Sequence, residues 1–201
     1  MAQRILMVCL LVGLTGAANA TLIDRGNGLI YDDVLDVTWL QDASLGGNLN
    51  WADANTWADN LIFEGYDDWR LPSMDLNGDE VIVDCSSASE AACQDNELGY
   101  MFYYSLMGSL FDDLTGDQGL IENLQVGHWS GTEFAPDPFI GWGFLFAVGD
   151  QGLVNQVSPF AAWAVRPGDV LAAPEPGTIA LLGLGLAGLG FARRRKRSGL
   201  R

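Results

Sequence analysis

HWSGTE, residues 128–133, contains the single histidine of the chain, with Ser130 two positions on. A Ser-His-Asp hydrolase needs a base within hydrogen-bond reach of the serine and an acid behind that base. On a strand, positions i and i+2 share a face but stand ~7 Å apart. No G-x-S-x-G elbow surrounds the serine either. The stretch reads as a half-buried strand histidine, so no catalytic residue is assigned and no enzyme is expected. DLNGDEVIVD, residues 75–84, is the second candidate. Asp75, Asn77, Asp79 and Asp84 place oxygen donors in the 1-3-5 spacing that opens a calcium loop. The sixth position holds Glu80 where such loops use glycine, and the twelfth holds Ser86 where they use glutamate. A solvated acidic loop is therefore slightly ahead of a weak calcium site, and calcium is the one cofactor suggested. Arg70 and Arg166 could hold an anionic ligand, but each is nearly alone among carboxylates. A structural arginine is favoured at both, Arg70 paired with Asp67 or Asp68 while Trp69 and Leu71 enter the core.

The elements that must position these residues follow from local pattern. LIY (29–31) and VTWL (37–40) read as short strands around the turn-prone DDVLD. NWADANTWADNLIF has Asn50 as an N-cap, Asp53 in the first turn, and Trp51, Ala54, Ala58, Leu61 and Ile62 on one face, an amphipathic helix of about three turns. A second helix is expected from Asn96 through Leu106, capped by Asn96. The stretch 73–95 between them is a polar, acidic loop. VGHWSGTE, GWGFLFAVG, GLVNQV and AAWAVRPG then read as strands separated by turns. Strands, helices and strands again argue for an α+β domain on a largely antiparallel sheet. The seven tryptophans are expected mostly in packing, although an exposed one can stack on a sugar.

The ends carry the address. MAQRILMVCLLVGLTGAANA has the n-region, apolar stretch and A-N-A site of a secretory signal peptide over residues 1–20, removed by signal peptidase. Residues 21–173 form one domain-sized unit. It holds three arginines against 25 of the 26 acidic residues, a formal charge of −22. Such a surface repels nucleic acid and polyanions. In an oxidising compartment, Cys85 and Cys93, eight positions apart in a polar loop, are expected to close a local disulfide. From Pro174 the chain reads PEPGTIALLGLGLAGLGFARRRKR. A helix over about 177–192 would be one transmembrane segment, but the apolar run from Thr178 to Ala192 reaches only ~22 Å, against ~30 Å of hydrocarbon. The basic cluster behind it, including Arg193, Arg194 and Arg195, should stay cytoplasmic with the acidic domain outside.

Two resemblances follow from these residues. The tail, 174–197, resembles the PEP-CTERM sorting signal of Gram-negative bacteria: a Pro174-Glu175-Pro176 motif, a Gly/Leu/Ala-rich helix and an arginine cluster, in that order. The resemblance implies cutting near the motif by an exosortase-like membrane protease or transpeptidase, hence transient inner-membrane anchoring followed by display at the cell surface or release. The domain at 21–173 resembles the Lcl C-terminal domain family through YDDWRLPS (66–73), HWSGTE (128–133) and AWAVRPGDV (162–170), with Trp69, Arg70, Trp129 and Arg166 as structural motif residues. That family resembles C-type-lectin-like folds, two helices on a twisted, mainly antiparallel sheet. His128 and the acidic insertion at 75–95 depart from its pattern. The reading is an exported surface or matrix protein, a non-catalytic binding module for extracellular polysaccharide or protein. The alternative is a structural component of the envelope or biofilm matrix without a discrete ligand.

Overall fold

The structure is a computed structural model and describes residues 21–170. The expected signal peptide at 1–20, the sorting motif and the expected transmembrane helix lie outside the described residues. Among those residues no helix is long and apolar enough to cross a membrane. The domain is α+β and rich in sheet. β1 (Leu22–Gly26), β2 (Leu29–Asp32), β3 (Val37–Leu40) and β11 (Val165–Pro167) form an antiparallel sheet in the order β1-β2-β3-β11. A second sheet has the order β4-β10-β7-β8-β9, from β4 (Asn48–Leu49), β10 (Phe160–Ala161), β7 (Gly127–Glu133), β8 (Ile140–Leu145) and β9 (Asp150–Asn155). Its one parallel pairing joins β10 to β7. A hairpin of β5 (Gly116–Gln118) and β6 (Ile121–Leu124) completes the strands.

Trp39 on β3 and Trp163 beside β11 are fully buried, with ring centroids 4.5 Å apart. The Trp163 indole N–H donates to the Leu40 carbonyl at 2.7 Å. Trp69 and Trp129 are buried as well. The core is thus aromatic, and each ring contributes a large apolar area.

The helices are shorter than their sequence pattern suggests. α1 (Trp51–Asp59) starts where expected, with the Asn50 side chain accepting from the Asp53 N–H at 2.9 Å. It stops before Leu61 and Ile62, because the Asn60 amide donates to the Thr56 carbonyl and the chain turns there. Ile62, expected on the buried face, is 75% exposed. The expected second helix is broken into α3 (Glu97–Tyr100) and a π turn over Met101–Ser105. The wider turn, closed by the Leu106 N–H on the Met101 carbonyl, buries Tyr100, Met101 and Phe102 in succession. Asn96 caps α3 through the Gly99 N–H at 2.9 Å, and its amide ties the loop to β9 through Val83 O and the Gln151 side chain. A one-turn helix, α2 (Glu90–Cys93), interrupts the acidic stretch read as loop. Cys93, at its end, is disulfide-bonded to Cys85 across a Cα–Cα distance of 5.2 Å. Gly99 lets that bridge lie against α3, since a Cβ there would come within 2.6 Å of the Cys85 sulfur.

The arginine partners also differ from local expectation. Arg70 pairs with Glu97, 27 residues on, through two bonds of 2.6 and 2.7 Å, and not with Asp67 or Asp68. Asp68 is already taken by Arg166 at 2.6 and 2.9 Å. Glu97 is fully buried and also accepts the Ser73 N–H at 2.6 Å. Arg25 is held the same way by Asp169. His128 is fully buried, where a half-buried side chain was expected, because its ring packs against Phe146 and Trp163 at 5.2 and 5.5 Å.

Two outcomes follow from these buried groups. Arg70→Met would leave the Glu97 carboxylate buried without its cation and should lower the unfolding free energy by about 3 kcal/mol. Adding Glu97→Gln should recover part of the loss, because the amide oxygen can still accept the Ser73 N–H. Chemical denaturation reads both, and an unchanged midpoint in Arg70→Met would refute the pairing's role. Burial pushes His128 from 6.5 down to about 3. The folded state keeps the imidazole neutral where the unfolded chain takes up a proton. This contribution to stability is therefore complete above about pH 6.5 and lost as pH falls toward about 3, at up to ~1.4 kcal/mol per pH unit. Desolvation raises the Asp32 carboxyl, an opposing effect that wild type and His128→Leu share. Wild-type stability should fall more steeply than that of His128→Leu between about pH 6 and 4; parallel curves would contradict the assignment.

Candidate functional site

The end of β7, the turn at 134–136 and the indole of Trp142 on β8 form one wall of a groove, and the inserted acidic loop forms the other. Asp75, Glu80, Ile82, Thr132, Glu133 and Trp142 are among its lining residues, around a cavity of about 160 Å³. Phe134 meets Trp142 edge to face, centroids 6.1 Å apart. The loop is fastened to β7 by the Met74 N–H, which donates to the Thr132 hydroxyl at 2.9 Å. A second, more open cleft of about 410 Å³ shares Asp75 and Thr132 with the first and continues past Asn55, Ser73 and Gly131. Trp142 is half-buried, and its indole N–H has no hydrogen-bond partner among the described residues. The same holds for the exposed Glu80 and Glu133 carboxylates. All three arginines of the described residues are already paired with other acids.

The loop's own geometry is built from backbone N–H groups. Asp75 accepts from Gly78, Asp79 and Glu80 at 2.9, 3.1 and 2.9 Å. Asn77 accepts from Asp79 and Asp79 from Val81, both at 2.8 Å. Glu80 takes φ +65°, the left-handed conformation for which calcium loops place glycine at that position. Asp75 and Asp79 converge with Asp95, their nearest carboxylate oxygens within 4.8 Å of one another. Asp84 is not with them; it accepts from the Ser86 N–H and hydroxyl instead. Asp95 Oδ2 is buried without a partner, while Oδ1 accepts the Asn77 N–H. Calcium takes 6–8 oxygens. Both Asp75 oxygens and one on Asp79 already accept N–H groups, so this donor set fits only a weak, largely hydrated ion.

The remaining candidates are scattered. His128 Nε2 accepts the Gln125 N–H at 2.9 Å, and the Ser130 hydroxyl donates to the Trp142 carbonyl at 2.8 Å. The two are therefore engaged with different partners. Trp69 and Trp129 hold the core, each donating its indole N–H to a backbone carbonyl. Arg166 stacks on Tyr66 with its guanidinium 4.1 Å from the ring centroid. Sequence reasoning missed Trp142, Phe134, Glu80 and Glu133 as one group, and Asp95 as the third carboxylate.

Comparison with protein families gives two matches. Residues 28–166 match the Lcl C-terminal domain, and residues 172–196 match the PEP-CTERM protein-sorting motif. A search among curated proteins finds no match. The motif implies an exported protein that is held transiently at the membrane and processed by an exosortase-type membrane enzyme. The first match spans more than half of the chain and contains both arginine pairs that tie the WRLPS turn to the rest of the fold. The chain belongs to the Lcl C-terminal domain family, carried here on a PEP-CTERM-sorted protein.

Proposed function

We propose that this protein is a non-catalytic binding module for extracellular polysaccharide, delivered by signal peptidase and an exosortase-type enzyme and displayed at the cell surface or in the matrix. In this reading the domain is C-type-lectin-like, and the basic tail stays cytoplasmic until the chain is cut near Pro174–Pro176. The observation that carries the reading is Trp142: a half-buried indole with an unused N–H, beside Phe134, in the wall of a groove that also presents Asp75, Glu80, Thr132 and Glu133. Aromatic faces bind the apolar side of a sugar ring, and a few fixed polar groups orient its hydroxyls. The non-catalytic part rests on His128 and Ser130 serving other partners. The high acidity of 21–173 favours a structural matrix component as the competing reading. Calcium, if bound at Asp75, Asp79 and Asp95, would stiffen the groove wall.

A glycan array of the exported protein, with and without calcium, should give a defined set of positives. Trp142→Ala should weaken those by at least about tenfold, in keeping with the loss of one stacking ring and its N–H contact. Because that variant removes packing, Phe134→Leu serves as a second, milder probe. Asp95→Asn, which keeps an oxygen for the Asn77 N–H and lies outside the groove lining, should abolish any calcium dependence and leave calcium-free binding in place. Intact mass of the same material should end near Pro176. An array without positives would favour the matrix reading, and a mass retaining Arg201 would overturn sorting.

A further inference from the structure

We infer that the Trp142 groove selects a protonated amino sugar, a glucosamine-type ring within a polysaccharide, over its N-acetylated counterpart. This rests on the polysaccharide-binding reading above and adds the charge of the ligand to it. The first observation is a shortage of internal cations. Arg25, Arg70 and Arg166 are each bound to Asp169, Glu97 and Asp68. The Glu80 and Glu133 carboxylates that line the groove with Trp142 therefore have no arginine of the described residues to neutralise them. A positive charge at that point must come from outside.

The second observation is the combination of groups. An ammonium on a ring in the groove would find Trp142, Glu80 and Glu133 in one lining, so cation–π attraction and ion pairing would both favour it there. The third is size. About 160 Å³ is below the 300–1,000 Å³ of a drug-sized site, so the groove accommodates one small ring. The adjoining cleft of about 410 Å³ offers Asn55, Ser73 and Thr132, hydroxyl and amide groups suited to the next sugar. A lysine stem would leave those polar groups facing methylenes. The field of a domain with a charge of −22 also raises the local concentration of cationic chains.

The test compares tetramers of glucosamine and of N-acetylglucosamine on the exported protein by calorimetry at mildly acidic pH, where the amines carry protons. The glucosamine tetramer should bind about tenfold more tightly, and added salt should narrow the gap. Glu80→Gln/Glu133→Gln should remove most of the difference. The charge-matched control Asp59→Asn/Asp67→Asn, on exposed carboxylates outside the groove, should retain it. Equal losses in the two double variants would show a diffuse field instead of a site and overturn the proposal. Equal or stronger binding of the acetylated tetramer would also overturn it, while leaving the polysaccharide reading intact. Failure of both tetramers, with other array positives, would do the same. An array without positives would sink both. A lysine oligomer that binds more tightly than the glucosamine tetramer, and loses that advantage in Glu80→Gln/Glu133→Gln, would assign the groove to a protein partner and overturn the proposal.

Discussion

Glu97 has no exposed surface, yet its carboxylate carries a charge into the junction of three parts of the fold. Arg70 meets it from the WRLPS turn with two hydrogen bonds, the Ser73 N–H adds a third, and the residue itself opens α3 under the Asn96 cap. Arg70 in turn exchanges backbone hydrogen bonds with Val165 of β11. The four-stranded sheet, the helix segment and the root of the acidic loop are thereby fixed to one another. A buried ion pair adds little net stability compared with an apolar pair, but it tolerates few alternative geometries once its charges are desolvated. The WRLPS turn and the loop that leaves it are set by this constraint, and one wall of the Trp142 groove is that loop.

The chain separates its charges by task. The basic residues outside the domain sit at the two ends, and the three inside it are each paired with one carboxylate. What remains on the domain surface is a large negative excess. It favours solubility and disfavours polyanionic partners, and it leaves groove carboxylates without internal counter-charges. The insertion at 75–95 is held by its own side chains: short acidic and amide groups satisfy the backbone N–H groups that no sheet or helix satisfies. Its disulfide adds a covalent clasp next to α3.

How far the sequence reveals this depends on whether the cause is local. Strand patterns, the Asn50 and Asn96 caps and the Cys85–Cys93 bridge are readable because neighbouring residues decide them. The π turn after α3 is not, since it comes from packing Met101 and Phe102 into a core whose other side is built by β8. The partner of Arg70 is hidden for the same reason, as Glu97 lies across the insertion. In the candidate site the Asp75–Asn77–Asp79 spacing is legible, but Asp95 replaces Asp84 because the loop folds back on Asp95, two residues ahead of α3. The role of Trp142 is the least visible. Seven tryptophans look alike in the sequence, and four are fully or almost fully buried; only the position of the inserted loop leaves this one facing a groove.

We propose that the groove between the acidic loop and Trp142 is where this domain meets its ligand. Titration of the isotope-labelled exported protein with a partially acetylated glucosamine oligomer, followed through the indole N–H resonances, tests it directly. The Trp142 resonance should shift saturably, together with the backbone amides of Glu80 and Glu133. Those of buried Trp39, Trp129 and Trp163 should hold still. Saturable shifts clustered on another face, with Trp142 unmoved, would contradict the account.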